Sequence, residues 1–460
     1  MDPTLYNAAV EGNTSDGNFS LAEYLKRDEE NGYQVTPKGN TVLHVAALCS
    51  HSDFMGEVLK ITPALLYCRN KRNETALHIA ANEGHTEVVR VLLSVAGEEN
   101  YKETLMRMTN ENGDTALHKA VRSEHVDVVK IILEKEEDPE FEYPANKAGE
   151  TPLYLAAESG FIDILREILE SCKNPNYVAG PFGRTPLHAA VVHEHSDCAI
   201  LLRQWNNSLC EEPDKWGWNP LHYAVKLGLK EVVSDMLGWN KSLAYLPAGN
   251  ENDWTTAIHI AAGEVDTLYV TNVLSELLQH CPDCWEMLDS RGQNALHVAV
   301  MNGQAVLLLT LLKSENWGSL VDEPDNDGNT PMHLLAFGKY FNKDEILQRK
   351  HYRNCVPYKL IIHPKAKKMT FNKDNQTPLD IFSCAVTENS KREAKYKGNV
   401  EKPSKDDLKE EYNKEEYDNL YPFHRGQFGR RGFKIKSQEQ EELIMWHGIK
   451  TSGSLKGMNF

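Results

Sequence analysis

The sequence predicts an all-α solenoid of stacked helix–turn–helix units with β-hairpin fingers, about nine to ten repeats behind an N-terminal capping unit. Three observations predict it. An opening of the type Thr-x-Leu-His recurs down most of the chain, starting at Thr41, Thr75, Thr115, Thr151, Thr185, Asn219, Thr256, Asn294, Thr330 and Thr377. A glycine stands two residues before most of these openings, at Gly39, Gly113, Gly149, Gly183, Gly217, Gly292 and Gly328. A second apolar run in helical register follows, as in Val88-Val89-Arg90-Val91-Leu92-Leu93. Each unit holds too little apolar surface to fold alone, so units must stack.

Each part of the unit has a physical reason. Thr or Asn caps the first helix by accepting a backbone hydrogen bond. Pro, at Pro152, Pro186, Pro220, Pro331 and Pro378, fits the first turn, where no donor is needed. Leu buries into the stack, and the His is expected to bond between neighbouring repeats. Glycine supplies the left-handed residue of the finger. Asn73 and Asn375 accept that conformation at a cost, whereas Trp254 does not, so the finger before Thr256 is expected to be remodelled. Most intervals between openings are 34 to 38 residues. The excess over about 33 is expected in loops after the second helix, most clearly at 134–143, which is acidic and carries Pro139.

The stretch from Asn73 to Leu93, with Thr75-Ala76-Leu77-His78, Glu83-Gly84-His85 and Val88-Val89, closely resembles one ankyrin repeat. The domain plan that follows is a capping repeat at 1–39, an ankyrin-repeat array at 40–385, a charged linker at 386–437, and a short amphipathic helix with a frayed tail at 438–460. The capping unit keeps the first-helix pattern, Leu5 to Asn13, without the Thr-x-Leu-His opening. The linker is dense in Lys and Glu and poor in large aliphatic residues, as solvated segments are.

Composition narrows the function classes. The chain has 460 residues and a formal net charge of −17. Lys391 to Phe460 holds 15 basic and 12 acidic residues, so the array carries about −20. Nucleic acid and anionic lipid call for a basic face, so neither is expected to bind the whole surface. Nine cysteines, an odd number off the repeat spacing, argue for reduced thiols and a cytoplasmic setting. Met1-Asp2-Pro3-Thr4 has no basic region followed by an apolar core, so no leader is expected. The longest apolar run, Ala305 to Leu312, is too short to span a bilayer.

No catalytic constellation is expected: the chain has no phosphate-cradling Gly-rich loop, no G-x-S-x-G and no H-E-x-x-H. Eight of the 18 histidines occupy the repeat position, one per unit, which explains them without a metal. Cys281-Pro282-Asp283-Cys284 has no second pair for zinc and reads as an inter-repeat loop with two small buried side chains. No metal, cofactor or small-molecule substrate is expected.

The finger tips carry the candidate site. Phe182, Trp216 and Trp218 lie in the fifth and sixth fingers and Trp254 in the seventh. Fingers of an ankyrin array project along its concave side, and aromatics dominate interface hot spots. These residues are read as a partner-binding patch, with Arg184, Asp214 and Lys215 as its rim. A second candidate is a basic–aromatic segment of Phe423, Arg425, Phe428, Arg430, Arg431, Phe433, Lys434 and Lys436, which suits anionic lipid or a membrane protein.

The Thr75 to Ala81 wording, the long inter-repeat loops, and His280-Cys281-Pro282-Asp283-Cys284 before Leu288 to His297 resemble plant ankyrin proteins of the accelerated-cell-death type, which carry a C-terminal PGG membrane domain. The resemblance implies a non-catalytic interaction scaffold in plant defence, cell-death or stress signalling. It implies protein partners, full-length membrane relatives among them, and a place in the cytoplasm or at the periphery of the plasma membrane. The acidic array suggests a partner with a basic segment. After Glu442 the chain shows Leu443-Ile444-Met445-Trp446 and then polar residues, without Pro-Gly-Gly, so a membrane-spanning role is not expected of it.

Overall fold

The computed structural model describes residues 1–14, 20–26, 32–98, 102–136, 143–171, 180–264, 267–304, 320–337 and 370–381. Helix α1 (Pro3–Glu11) packs on α3 (Val42–Leu48), which with α4 (Ser52–Ile61) makes the first regular pair; α2 (Leu21–Tyr24) lies between α1 and α3 in sequence. Then come α5 (Ala76–Glu83) and α6 (Thr86–Glu98), with α7 (Lys102–Arg107) appended, and α8 (Ala116–Arg122) with α9 (Val126–Lys135). The pairs α10 (Pro152–Ser159) and α11 (Ile162–Ser171), α12 (Pro186–Val192) and α13 (Ser196–Trp205), and α14 (Pro220–Leu227) and α15 (Lys230–Trp239) follow. Helices α16 (Ala257–Gly263), α17 (Thr267–His280), α18 (Ala295–Met301) and α19 (Pro331–Phe337) complete the described set. No described helix is long and apolar enough to cross a membrane.

The stacking surface is built from small and branched residues. First helices bury Leu77, Ala80 and Ala81, then Leu117, Ala120 and Val121, then Leu153, Ala156 and Ala157. Alanine lets successive first helices approach closely, and each buried leucine contributes about 1.5–3 kcal/mol. Second helices bury Val88, Val89, Leu92 and Leu93 in α6 and their counterparts elsewhere.

The long repeat period comes from the stretches after the second helices, as expected, and where these are described they are ordered and partly buried. After the second helices the chain forms short 3-10 turns at Pro63–Tyr67, Asn207–Cys210, Lys241–Tyr245 and Cys284–Glu286. Each buries a pair, Leu65 with Leu66, Leu209 with Cys210, Leu243 with Ala244, and Cys284 with Trp285. Helix α7 does the same with Leu105 and Met106. The extra residues thus add apolar area to the core. Of the acidic stretch at 134–143, residues 137–142 lie outside the described residues.

Two sets of histidines hold the stack in register. In the first helix, the His78 Nδ1 accepts the backbone N–H of Thr75 at 3.2 Å, and its Nε2 lies 3.1 Å from the Asp114 carbonyl of the next finger. A carbonyl only accepts and an amide N–H only donates, so the ring is held neutral with its proton on Nε2. His44, His118, His188, His222, His259, His297 and His333 make the same forward bond. Burial pushes His78, His188, His222, His259 and His297 down to about 4. The second set starts the second helices and bonds backward: His51 to the Val10 carbonyl, His85 to Leu48, His125 to Asn82 and His195 to Glu158. Gly12, Gly84 and Gly160 make room for three of these rings. A Cβ at Gly84, whose φ is +78°, would stand 2.6 Å from His125 Nδ1.

Candidate functional site

The regular finger is a five-residue turn opened by Asn or Asp. In the finger at 214–218, Asp214 Oδ1 accepts the N–H groups of Trp216 and Trp218 at 2.9 and 3.0 Å. Gly217, at φ +77°, turns the chain back. This finger bonds to the one before it: the Lys215 N–H donates to the Phe182 carbonyl at 2.9 Å. The third residue is the tip, and the fifth turns inward against the first helices.

That register sorts the aromatic candidates. Phe182 and Trp216 are tips of adjacent fingers, their ring centroids 5.4 Å apart. Trp216 is 41% exposed and Phe182 is half-buried. The Lys215 ammonium stands 3.9 Å from the Phe182 centroid and 4.5 Å from that of Trp216. Cation–π attraction of this kind contributes about 0.5–1 kcal/mol at an exposed site. Trp218 is a fifth-position residue and is buried, 8% exposed, against His222 and Tyr223. It is therefore part of the stack, and its carbonyl receives the His188 bond.

Arg184 and Asp214 are also buried, so they form the floor of the patch and not its rim. The Arg184 Nε lies 3.6 Å from Asp214 Oδ2. The Arg184 Nη2 donates to the Tyr223 hydroxyl at 3.1 Å, and that hydroxyl donates to Asp214 Oδ2 at 2.6 Å. The guanidinium carbon is 5.2 Å from the centroids of both Trp216 and Tyr223. Burial, the first cause, and the Asp214 charge raise the Tyr223 phenol well above its usual range. The floor thus fixes Asp214, and Asp214 fixes the turn that presents Trp216. Tyr223 was not singled out from the sequence; its signal is its place directly after the repeat histidine, in Pro220-Leu221-His222-Tyr223.

Trp254 stands in a finger of another design. Strand β1 (Ala248–Gly249) pairs antiparallel with β2 (Trp254–Thr255), Ala248 opposite Thr255 and Gly249 opposite Trp254. Gly249, at φ +127°, takes the unusual conformation that Trp254 avoids. Trp254 is half-buried, and its carbonyl accepts the Ser290 N–H at 3.0 Å. Phe423, Arg425, Phe428, Arg430, Arg431, Phe433, Lys434 and Lys436, with the linker and terminal helix, lie outside the described residues.

The Cys-Pro-Asp-Cys stretch closes α17 and opens its 3-10 turn. Both thiols are buried, and Cys281 Sγ lies 3.4 Å from the Lys241 carbonyl. Burial pushes Cys284 up to about 12, which keeps it a protonated packing group. Among the described residues no group of three or more His, Cys, Asp or Glu is placed to hold a metal.

Comparison with known proteins agrees with this architecture. The family model described as ankyrin repeats (3 copies) matches residues 5–104, 56–143, 100–178, 138–211 and 172–244. The poly(ADP-ribose) polymerase tankyrase of Caenorhabditis elegans is 26% identical over 164 residues, 32% of this chain and 7% of its own length. Protein ACCELERATED CELL DEATH 6 of Arabidopsis thaliana is 38% identical over 56 residues, 12% of this chain and 8% of its own. The probable 26S proteasome regulatory subunit p28 of Saccharomyces cerevisiae is 32% identical over 165 residues, 34% of this chain and 66% of its own. The chain thus spans less than a tenth of the first two relatives. Among solved structures, the ankyrin repeat domain of Bcl-3 covers 51% of this chain and 98% of its own, at 22% identity and a TM-score of 0.41. Matching segments run from residue 5 to residue 244, more than half of the 460 residues, and the chain belongs to the ankyrin-repeat family.

Proposed function

We propose that this protein is a non-catalytic scaffold that binds a protein partner on its aromatic fingers, in plant defence or cell-death signalling. The observation that carries the binding site is the Phe182–Trp216 pair. Two large rings sit together on adjacent tips with a lysine across them, and Trp216 stays open to water. An exposed tryptophan held on a rigid turn loses little entropy on binding, which suits a hot-spot anchor. The plant assignment is supported by the likeness to ACCELERATED CELL DEATH 6 and by the Cys281-Pro282-Asp283-Cys284 wording. The charge of −17 favours a partner with a basic segment.

The test is capture from plant tissue with the wild type and with Phe182→Ala/Trp216→Ala, folding being checked by circular dichroism. Calorimetry with the purified partner follows. Trp216→Ala is expected to weaken binding at least about tenfold, with affinity falling as ionic strength rises from about 0.05 M to about 0.5 M. A partner held equally by wild type and double variant rules out the aromatic tips. Affinity unchanged by salt rules out the basic segment.

A further inference from the structure

Two rungs tie each finger to the next. One is the N–H of the second finger residue on the previous tip carbonyl, as in Lys71 to Lys38, Glu111 to Arg72, Lys147 to Asn112, and Lys215 to Phe182. The other is the forward bond of the repeat histidine. Among the described residues one junction lacks both, that between the fingers at 146–150 and 180–184. Pro181 stands where Lys147 and Lys215 supply an N–H, so it offers the Ala148 carbonyl none. Tyr154 stands where eight other units have histidine, and its fully buried hydroxyl finds no hydrogen-bond partner.

The exchanges are coupled. Gly180 replaces the Asn or Asp that opens the neighbouring fingers. A Cβ there would stand 2.6 Å from Tyr154 Cε2 and 1.9 Å from the Arg184 carbonyl oxygen. The wide phenol ring therefore takes space that an Asn side chain uses elsewhere. Phe182 follows in the left-handed region at φ +63°, which the neighbouring tips Ala148 and Trp216 avoid. On the helical side the tie persists. His195 Nε2 holds the Glu158 carbonyl at 3.1 Å, and α10 and α12 stay packed.

We propose that this junction is a hinge built into the array. The finger edge opens between Gly149 and Gly180 while the helix edge, tied through His195 and Glu158, acts as the axis. The hinge does not depend on what the aromatic tips bind. Repeat arrays open where a nearest-neighbour interface is weakest, and this interface has lost its polar rungs.

Hydrogen exchange read by mass spectrometry on the full chain tests it. Peptides within 143–160 and 180–190 are expected to exchange at least about tenfold faster than those within 110–122 and 214–227. The triple variant Tyr154→His/Gly180→Asn/Pro181→Lys gives the fifth finger the chemistry of the fourth and is expected to remove the difference. Should the triple variant fail to fold, Pro181→Lys alone returns one rung and is expected to slow exchange several-fold. Equal exchange across the junctions in the wild type overturns the hinge, as does unchanged exchange in a folded restored variant.

Discussion

The fingers up to residue 150 and those from 180 to 255 solve the same problem differently. In the first group Asn70, Asn110 and Asn146 open the turns, the tips are Arg72, Asn112 and Ala148, and all successive rungs are made. In the second group a Gly-Pro turn, an aromatic pair and a short β-hairpin replace them. Stacking of the first helices continues through both groups. Since the histidines and alanines hold the stack, the tips are free to diverge toward recognition. The difference locates stability in the helices and candidate function in the turns.

The largest test of that division is pH. The unfolded chain binds protons at its histidines near pH 6.5, whereas the folded chain holds His78, His188, His222, His259 and His297 neutral down to about 4. Their contribution is fully present above 6.5 and is lost as pH falls from 6.5 toward 4. Each titrating histidine adds a slope of up to about 1.4 kcal/mol per pH unit. Glu158 works against this trend. Burial, with the nearby Glu150 charge second, raises it to about 7, so its penalty on the fold grows as pH rises from 4.5 to 7. Five groups outweigh one, and urea midpoints are expected to drop steeply between pH 6.5 and 5. A flat profile breaks the assignment of stability to the histidines.

A smaller effect is expected from His78→Ala, which removes three buried hydrogen bonds and leaves a cavity. The loss is about 2–4 kcal/mol in urea unfolding. Trp216→Ala is expected to change stability by less than about 0.5 kcal/mol. Comparable losses in the two variants erase the contrast between helices and tips.

The smallest pair sharpens it. Gly84→Ala strains a left-handed residue and drives a Cβ into the His125 ring, so about 1–3 kcal/mol is expected to be lost. Gly97→Ala lies inside α6 with open space around it and is expected to gain about 0.5–1 kcal/mol. Thermal or urea midpoints of the two variants report both signs.

The fold was legible because the repeat writes its cap, its helical leucine and its histidine in adjacent letters. The second, backward-bonding histidines were less visible, since His51, His85, His125 and His195 look like polar turn residues until Gly12, Gly84 and Gly160 are seen against them. The 3-10 turns were expected only as loops, although Leu65-Leu66 and Leu243-Ala244 carry an apolar signal. In the candidate site, Trp218 was grouped with Trp216 because two tryptophans flank one glycine. Alignment of the fingers separates them: Trp218 falls on the position of Glu74, Asp114 and Glu150, which face the helices.

The buried turns after the second helices have a further consequence. They absorb differences in unit length, for successive openings lie 34 residues apart at Thr41–Thr75 and 40 apart at Thr75–Thr115. Yet the Lys71–Lys38 and Glu111–Arg72 rungs are nearly alike, at 3.1 and 2.9 Å. Slack is taken up on one edge, and the rungs on the opposite edge keep their length across these two junctions. Across these units the chain behaves as a ruler whose marks hold while its back grows or shrinks. Insertions can therefore accumulate behind the second helices without rewriting what the tips present.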